Sequence, residues 1–144
     1  PYGGRFFGVP MLEAIFYLAL NIYHEARNEP LTGQIAVAEV TLNRVDSPYY
    51  PDTVKGVVLQ SGKKSCAFSW TCDGKSDKPY EKKAWNKSIQ IAETMYDAYM
   101  EDAKVTVVGK NALFYHATYV KPYWLSDVSK IKRVGRHIFY GRKG

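Results

Sequence analysis

The run Tyr23-His24-Glu25-Ala26-Arg27-Asn28-Glu29-Pro30 places a carboxylate at the end of an otherwise apolar stretch. Met11, Leu12, Ile15, Phe16, Leu18, Ala19, Leu20 and Ile22 lie upstream. A glutamate half-buried at such a point holds its proton to higher pH, because burial disfavours the ionised form. A glutamate still protonated near neutrality is a general acid. Two other chemistries compete for the same run. His24-Glu25 opens a His-Glu-x-x-His zinc-protease pattern, but position 28 is Asn28, so the pattern fails. The remaining histidines, His116 and His137, are remote, and a zinc site would then need His24, His116 and an acid. Glu29 follows Glu25 by four residues and would share its face on a continuing helix. That makes a carboxylate pair of the kind glycosidases use. Side chains one turn apart are poorly placed to flank a sugar ring from opposite sides, so Glu29 reads better as the partner of a basic residue or a cap for backbone amides near Pro30.

Two further stretches bear groups able to bind. Cys66-Ala67-Phe68-Ser69-Trp70-Thr71-Cys72-Asp73-Gly74 mixes apolar anchors with hydroxyls and an acid. It reads either as a loop pinned by Phe68 and Trp70 or as one wall of a cleft, with Ser69 hydrogen-bonding a ligand. There is no Gly-x-Ser-x-Gly elbow, which argues against Ser69 as a nucleophile. The segment from Phe114 to Trp124 holds five aromatics and His116 in eleven residues, more than a plain loop needs. Rings with polar tips suit pyranose sugars; the plainer reading is a hydrophobic plug closing the core. Cys66 and Cys72, six apart, can close a short loop if the chain turns back, and the sequence leaves disulfide and free thiols open.

Composition narrows the class. A chain of 144 residues points to a single domain, taken here as 1–144, with room for a core. The 20 Lys and Arg against 14 Asp and Glu give +6, which favours acidic partners such as nucleic acid, anionic lipid or an acidic wall polymer. The charges are not clustered enough to choose among these. Lys63-Lys64 and the 130–133 run read as solvated faces, and no nucleic-acid-binding motif accompanies them. No apolar run approaches the ~20 residues that span a bilayer, so the chain is expected to be soluble and not inserted in a membrane. A starting Pro1 leaves a removed leader open.

The elements that must position these groups are expected to be mostly helical. Pro10 opens a helix carrying apolar residues at 11, 12, 15, 16, 19, 20 and 22, which ends by Pro30. Thr32 is expected to cap a second helix over 33–45. Thr53 caps a short helix to about Gln60. Residues 61–78 form a long irregular or β-rich loop, of a length that is usually functional. Asp77 is expected to cap a long helix that starts at Pro79 and ends near Ala103. Residues 105–108 read as a short strand, 111–124 as an aromatic loop, and 131–134 with 137–140 as a hairpin around Gly135.

Taken in order, the Tyr23–Pro30 run, Gly33-Gln34-Ile35-Ala36-Val37-Ala38, Asn43-Arg44-Val45 with Pro51, the Phe68-to-Gly74 loop, the Tyr115-His116-Ala117-x-Tyr119-Val120-x-Pro122-x-Trp124 block and the ending Gly135-Arg136-His137-Ile138-Phe139-Tyr140 resemble the SleB/CwlJ-type cell wall hydrolase domain. The resemblance runs over roughly residues 15 to 140. It implies a lysozyme-like, mainly α (α+β) domain with a small β element that cleaves peptidoglycan glycan strands, with Glu25 as catalytic acid. It implies work at the cell wall or in the periplasm, reached by export or by release as a phage endolysin; the Cys-containing loop looks more like Gram-negative or phage members. One departure is Asn28, where the family usually carries Gly, which is expected to alter the turn beneath Glu29.

The reaction this implies is cleavage of the β-1,4 bond between N-acetylmuramic acid and N-acetylglucosamine. One convincing carboxylate, Glu25, suits a lytic transglycosylase acting as acid and then base, with no metal or other cofactor. Ser69, Asp73, Tyr115, His116, Tyr119 and Trp124 are the expected substrate-binding residues, and the protein is expected to act as a monomer without nucleic acid. The rival readings are a hydrolytic muramidase using Asp73 or Glu29 as second acid, a zinc-dependent N-acetylmuramoyl-L-alanine amidase built on His24, His116 or His137, and a wall-binding module without catalysis.

Overall fold

In the computed structural model, which describes residues 9–63, 65–103 and 105–144, four helices precede a small antiparallel sheet. The helices are α1 (Val9–Ala26), α2 (Leu31–Asp46), α3 (Val54–Val58) and α4 (Lys82–Met100). The strands are β1 (Phe114–Ala117), β2 (Val128–Val134) and β3 (His137–Arg142), in spatial order β1-β3-β2. The expected mainly helical α+β architecture is therefore present. Pro1 and Lys64, on which two of the sequence expectations fall, lie outside the described residues. Among the described residues no helix is long and apolar enough to cross a membrane.

Two apolar clusters hold the fold. In the first, Leu18 and Ile22 of α1 pack with Ala38 and Leu42 of α2, Val57 of α3, Ile91 and Met95 of α4, and Phe68 and Trp70 of the long loop. In the second, Ala26 at the end of α1 joins Ala36, Val37 and Val40 of α2 with Val108, Ala112, Val134 and Phe139. Leu18, Ile22 and Phe139 are fully buried, and each such side chain contributes about 1.5–3 kcal/mol. Ile22 belongs to one cluster and Ala26 to the other, while Tyr115 packs against both. Glu25 thus lies between them in the chain, at the seam of the two cores.

Several element boundaries differ from the sequence expectation. Thr32 does not cap α2; it lies inside the first turn, and Pro30 occupies the cap with its carbonyl accepting from the Gly33 and Gln34 amides. Asp77 does not cap α4, which starts at Lys82 after Glu81; the Asp77 carbonyl instead accepts from His24 Nε2 at 2.8 Å. Residues 105–108 form no strand. Their donors go to one carboxylate: Glu39 accepts from Thr106 Oγ1 and from the amides of Val107, Val108 and Gly109 at 2.8–3.0 Å. A buried anion saturated by four donors replaces the ladder a strand would need. The 111–124 stretch is only partly loop, since β1 pairs with β3 in the register Tyr115↔Phe139 and His116↔Ile138.

Other expectations hold. Thr53 accepts from the Gly56 amide and caps α3. β2 and β3 form the hairpin, with Gly135 at φ +58° in its turn and an irregularity between Lys130 and Lys132. Cys66 and Cys72, between disulfide and free thiols on sequence grounds, are disulfide-bonded. The turn over Asn28 forms without a left-handed residue there, and the Asn28 carbonyl accepts from Arg136 Nη2 at 3.1 Å.

Candidate active site

A cleft of about 320 Å³ opens over the end of α1. Its lining includes Glu25, Arg27 and Glu29 from the 24–29 segment, Ala117 and Tyr119 at the end of β1, and Arg136 and His137 from the β2–β3 hairpin. A second hollow, between α2, α4 and residues 105–110, holds Glu39, Asp46 and Tyr99. Two of its acids are already engaged, Glu39 by the four donors above and Asp46 by the Tyr99 hydroxyl at 2.7 Å. The α1 cleft is the one that holds Glu25.

Glu25 is half-buried. Burial pushes its carboxyl above the ordinary glutamate value, against opposing pulls from the Tyr115 hydroxyl and the Arg44 charge. Tyr115 Oη donates to Glu25 Oε1 at 2.6 Å across ninety positions of sequence. That bond occupies one carboxylate oxygen from within the protein and leaves Oε2 for the proton and the cleft. Burial and the neighbouring Glu25 push the Tyr115 phenol well above its usual value, so it stays a donor. Arg44 is itself buried and donates through Nε to the Leu113 carbonyl at 2.8 Å.

Glu29 is a different kind of acid. It is buried, yet it accepts from the Arg136 amide at 2.7 Å and from Arg136 Nε at 2.9 Å. Burial alone would raise its pKa; the two Arg136 donors and the His137 and Arg136 charges outweigh burial and hold it below the ordinary glutamate value. Two carboxylates four residues apart are thus driven in opposite directions, one toward keeping its proton and one toward losing it. His137 Nδ1 is buried without a hydrogen-bond partner, 3.9 Å from Glu29 Oε1. Burial is the main cause holding His137 below the usual histidine value, with Glu29 opposing it.

Of the residues expected from sequence, Glu25 and Tyr119 line the cleft and Tyr115 reaches Glu25 from beneath. Tyr119 is 85% exposed, which leaves its ring free to stack. Ser69, Asp73, His116 and Trp124 are not among the cleft-lining residues. Ser69 begins a short 3₁₀ turn, Ser69–Thr71. Asp73 Oδ1 accepts from the Lys75 amide at 2.9 Å. His116 has Nδ1 against the Ala117 carbonyl at 2.7 Å and Nε2 against the Tyr140 hydroxyl at 2.8 Å. Trp124 packs edge-on against Tyr140 and His116.

The three histidines do not meet. His24 lies parallel to Trp70 with ring centroids 4.4 Å apart, His116 is held by Tyr140, and His137 sits by Glu29. Among the described residues no group of three or more His, Cys, Asp or Glu is arranged to hold a metal ion. Sequence reasoning missed Arg44, Arg136 and Asn21 as neighbours of the site, and read His137 only as a candidate zinc ligand. Asn21 carried a usable signal: it is a polar residue inside an apolar helix, one turn before Glu25.

The family model described as Cell Wall Hydrolase matches residues 28–140. The spore cortex-lytic enzyme of Bacillus subtilis is 35% identical over 124 residues, covering 85% of this chain and 35% of that protein. The chain spans about a third of the length of that relative. The catalytic domain of the germination-specific lytic transglycosylase SleB from Bacillus anthracis superposes with a TM-score of 0.65 at 32% identity, covering 88% of this chain and 93% of that one. The catalytic domain of the Bacillus cereus SleB protein gives 0.66 at 32% identity, with 90% of each chain covered.

Proposed function

Because the chain belongs to the cell wall hydrolase family, we propose that it cleaves peptidoglycan glycan strands at the β-1,4 bond between N-acetylmuramic acid and N-acetylglucosamine, as a lytic transglycosylase with Glu25 as acid and then base. The family match begins at Asn28, so Glu25 is assigned on geometry. The observation that carries the assignment is the division between the two acids: burial pushes the Glu25 carboxyl up and Tyr115 is its hydrogen-bond partner, whereas Arg136 occupies both oxygens of Glu29 and holds that carboxyl down. One carboxyl is left able to exchange a proton with a substrate, and an acid–base pair split across two free carboxylates has no second member here.

The steps follow from that single acid. Glu25 gives its Oε2 proton to the glycosidic oxygen as the bond to the muramoyl C1 breaks, through an oxocarbenium-like transition state. Tyr115 donates to Oε1 and steadies the carboxylate that forms. The carboxylate then takes the proton of the muramoyl C6 hydroxyl while that oxygen bonds to C1. The product is a 1,6-anhydro end, no water is consumed, and Glu25 recovers its proton. Tyr119 offers a ring for sugar stacking at the cleft mouth. Arg27 and Arg136 line that mouth, each paired with an acid, Arg27 with Glu81 and Arg136 with Glu29, and the net charge of +6 is in keeping with an anionic wall. The same reading has the protein act as a monomer at the wall or in the periplasm, reached by export or by phage release.

Glu25→Gln is nearly isosteric and cannot donate the proton. Purified peptidoglycan treated with it should release no fragments, while the unsubstituted protein should release anhydro-muropeptides detectable by mass spectrometry. Wild-type clearance by Glu25→Gln would remove the assignment. Reducing ends would mean hydrolysis, and free stem peptides an amidase.

A further inference from the structure

Tyr119 owes its place at the cleft to a turn that follows β1. The Val120 amide donates to the Ala117 carbonyl at 2.9 Å, which closes a turn with Thr118 and Tyr119 at its centre. The Thr118 amide donates to the Arg136 carbonyl at 2.8 Å and ties that turn to the hairpin. A third hold comes from a side chain. β1 is an edge strand, so carbonyls on its outer side need partners from outside the ladder. His116 Nδ1 is such a partner, 2.7 Å from the Ala117 carbonyl.

Chemistry fixes the direction of that bond. A carbonyl only accepts, so Nδ1 carries the proton. The neutral ring then presents a lone pair at Nε2, to which the Tyr140 hydroxyl donates at 2.8 Å. Tyr140, buried in β3, thus keeps the ring in the tautomer that Ala117 requires. Packing sets the ring plane. It lies at 22° to the Tyr140 ring with centroids 5.3 Å apart, and Trp124 meets both rings edge-on. Trp124 ends the 118–124 segment, so His116 touches both ends of the stretch that carries Tyr119.

We propose that His116 is a positioning residue for Tyr119: by holding the Ala117 carbonyl it fixes the turn that presents the Tyr119 ring to a sugar of the glycan strand. Tyr119 is 85% exposed, so the backbone beneath it, and not packing of its own ring, sets where it points. His116 is not among the cleft-lining residues. Its effect is therefore on how the strand is gripped and not on the chemical step.

This inference rests on Tyr119 meeting the substrate, and the variants keep the two apart. Release of fragments from solubilised glycan strands is measured against strand concentration for the unsubstituted protein, His116→Gln, His116→Asn, Tyr119→Ala, and Tyr119→Ala combined with His116→Gln. An asparagine amide nitrogen stands as many bonds from Cβ as Nδ1 does and keeps the donor to Ala117. A glutamine amide nitrogen matches Nε2 instead and drops that donor. Both variants lose the same ring packing against Tyr140 and Trp124.

His116→Gln should raise KM roughly three- to tenfold, the range of one lost stacking contact, with kcat within about twofold of the original. Tyr119→Ala should raise KM to a like degree. Adding His116→Gln to it should change KM no further, since the two act through one contact. His116→Asn should keep KM within about twofold of the original, because the donor is retained. Equal increases in the asparagine and glutamine variants would overturn the proposal, by showing that ring packing matters and the donor does not. So would an unchanged KM in folded His116→Gln, or additive increases in the double variant. Where His116→Gln does not fold, His116→Asn decides alone: a KM near the original supports the role, and a raised KM or failure to fold refutes it. An unchanged KM in Tyr119→Ala would instead remove the sugar-stacking reading of Tyr119, and the proposal with it. Activity in Glu25→Gln would remove only the acid assignment.

Discussion

Glu29→Gln separates a structural acid from a catalytic one. Its carboxylate is buried and takes a backbone N–H and a guanidinium N–H from Arg136. The backbone bond to a charge contributes about 1.5–3 kcal/mol. The guanidinium side chain is 60% exposed, so solvent screening limits that ion pair to about 0–1 kcal/mol. A glutamine keeps one neutral bond of about 1 kcal/mol and turns an amide toward Arg136. The net expectation is a loss of about 2 kcal/mol, or roughly 4–8 °C in Tm for a chain of this size.

The pH dependence has a definite sign. The folded-state pKa of Glu29 lies below its ordinary value, so its contribution is fully present above the ordinary carboxylate range. That contribution is lost as pH falls through the lowered pKa, where the unsubstituted carboxyl also becomes neutral. The Tm gap between Glu29→Gln and the unsubstituted protein, measured by scanning calorimetry, should be wide at pH 7 and close toward pH 3. Activity per folded molecule should stay within a few-fold of the original. A rate loss of 10²-fold or more, the scale of a missing general acid or base, with Tm unchanged would refute the reasoning and return Glu29 to the role of second carboxylate in a hydrolase.

Two further outcomes follow from the same neighbourhood. Gly135 sits at φ +58°, and a Cβ there would lie 2.5 Å from Glu29 Oε1 and 3.1 Å from Pro30 Cδ. Gly135→Ala should cost about 1–2 kcal/mol for the left-handed backbone and displace the Glu29 carboxylate as well. A double-mutant cycle with Glu29→Gln in denaturant should therefore be less than additive; strict additivity would sever the two. Replacing both cysteines by serine opens the short 66–72 loop and should cost about 2 kcal/mol on the chain-entropy relation, with fragment release falling too because Trp70 is less firmly held. Unchanged activity at full reduction of the thiols would argue against that link.

Local patterns in the chain were enough for the elements with a local cause. The apolar spacing before Glu25 marks α1, Thr53 marks the start of α3, and Gly135 between two short segments of β-branched and aromatic residues marks the hairpin. Residues 105–108 misled because Val-Thr-Val-Val has strand propensity, while their actual partner is Glu39, more than sixty positions away. His116 misled for a similar reason: an aromatic-rich segment reads as a binding wall, but pairing with β3 brings Tyr140 against its ring.

The sequence by itself determined that a glutamate would end an apolar helix and that a second would follow one turn later. Periodicity reports which face is buried, and that was sufficient to predict a raised pKa for Glu25. It does not report who meets that face. Only the tertiary structure decided that Tyr115 would donate to Glu25, that Arg136 would claim Glu29, and that Trp70 would donate to Asn21. These contacts link residues 49 to 107 positions apart. They form because the sheet register and the seam between two cores bring the groups together, and buried polar groups must then find partners wherever packing has placed them.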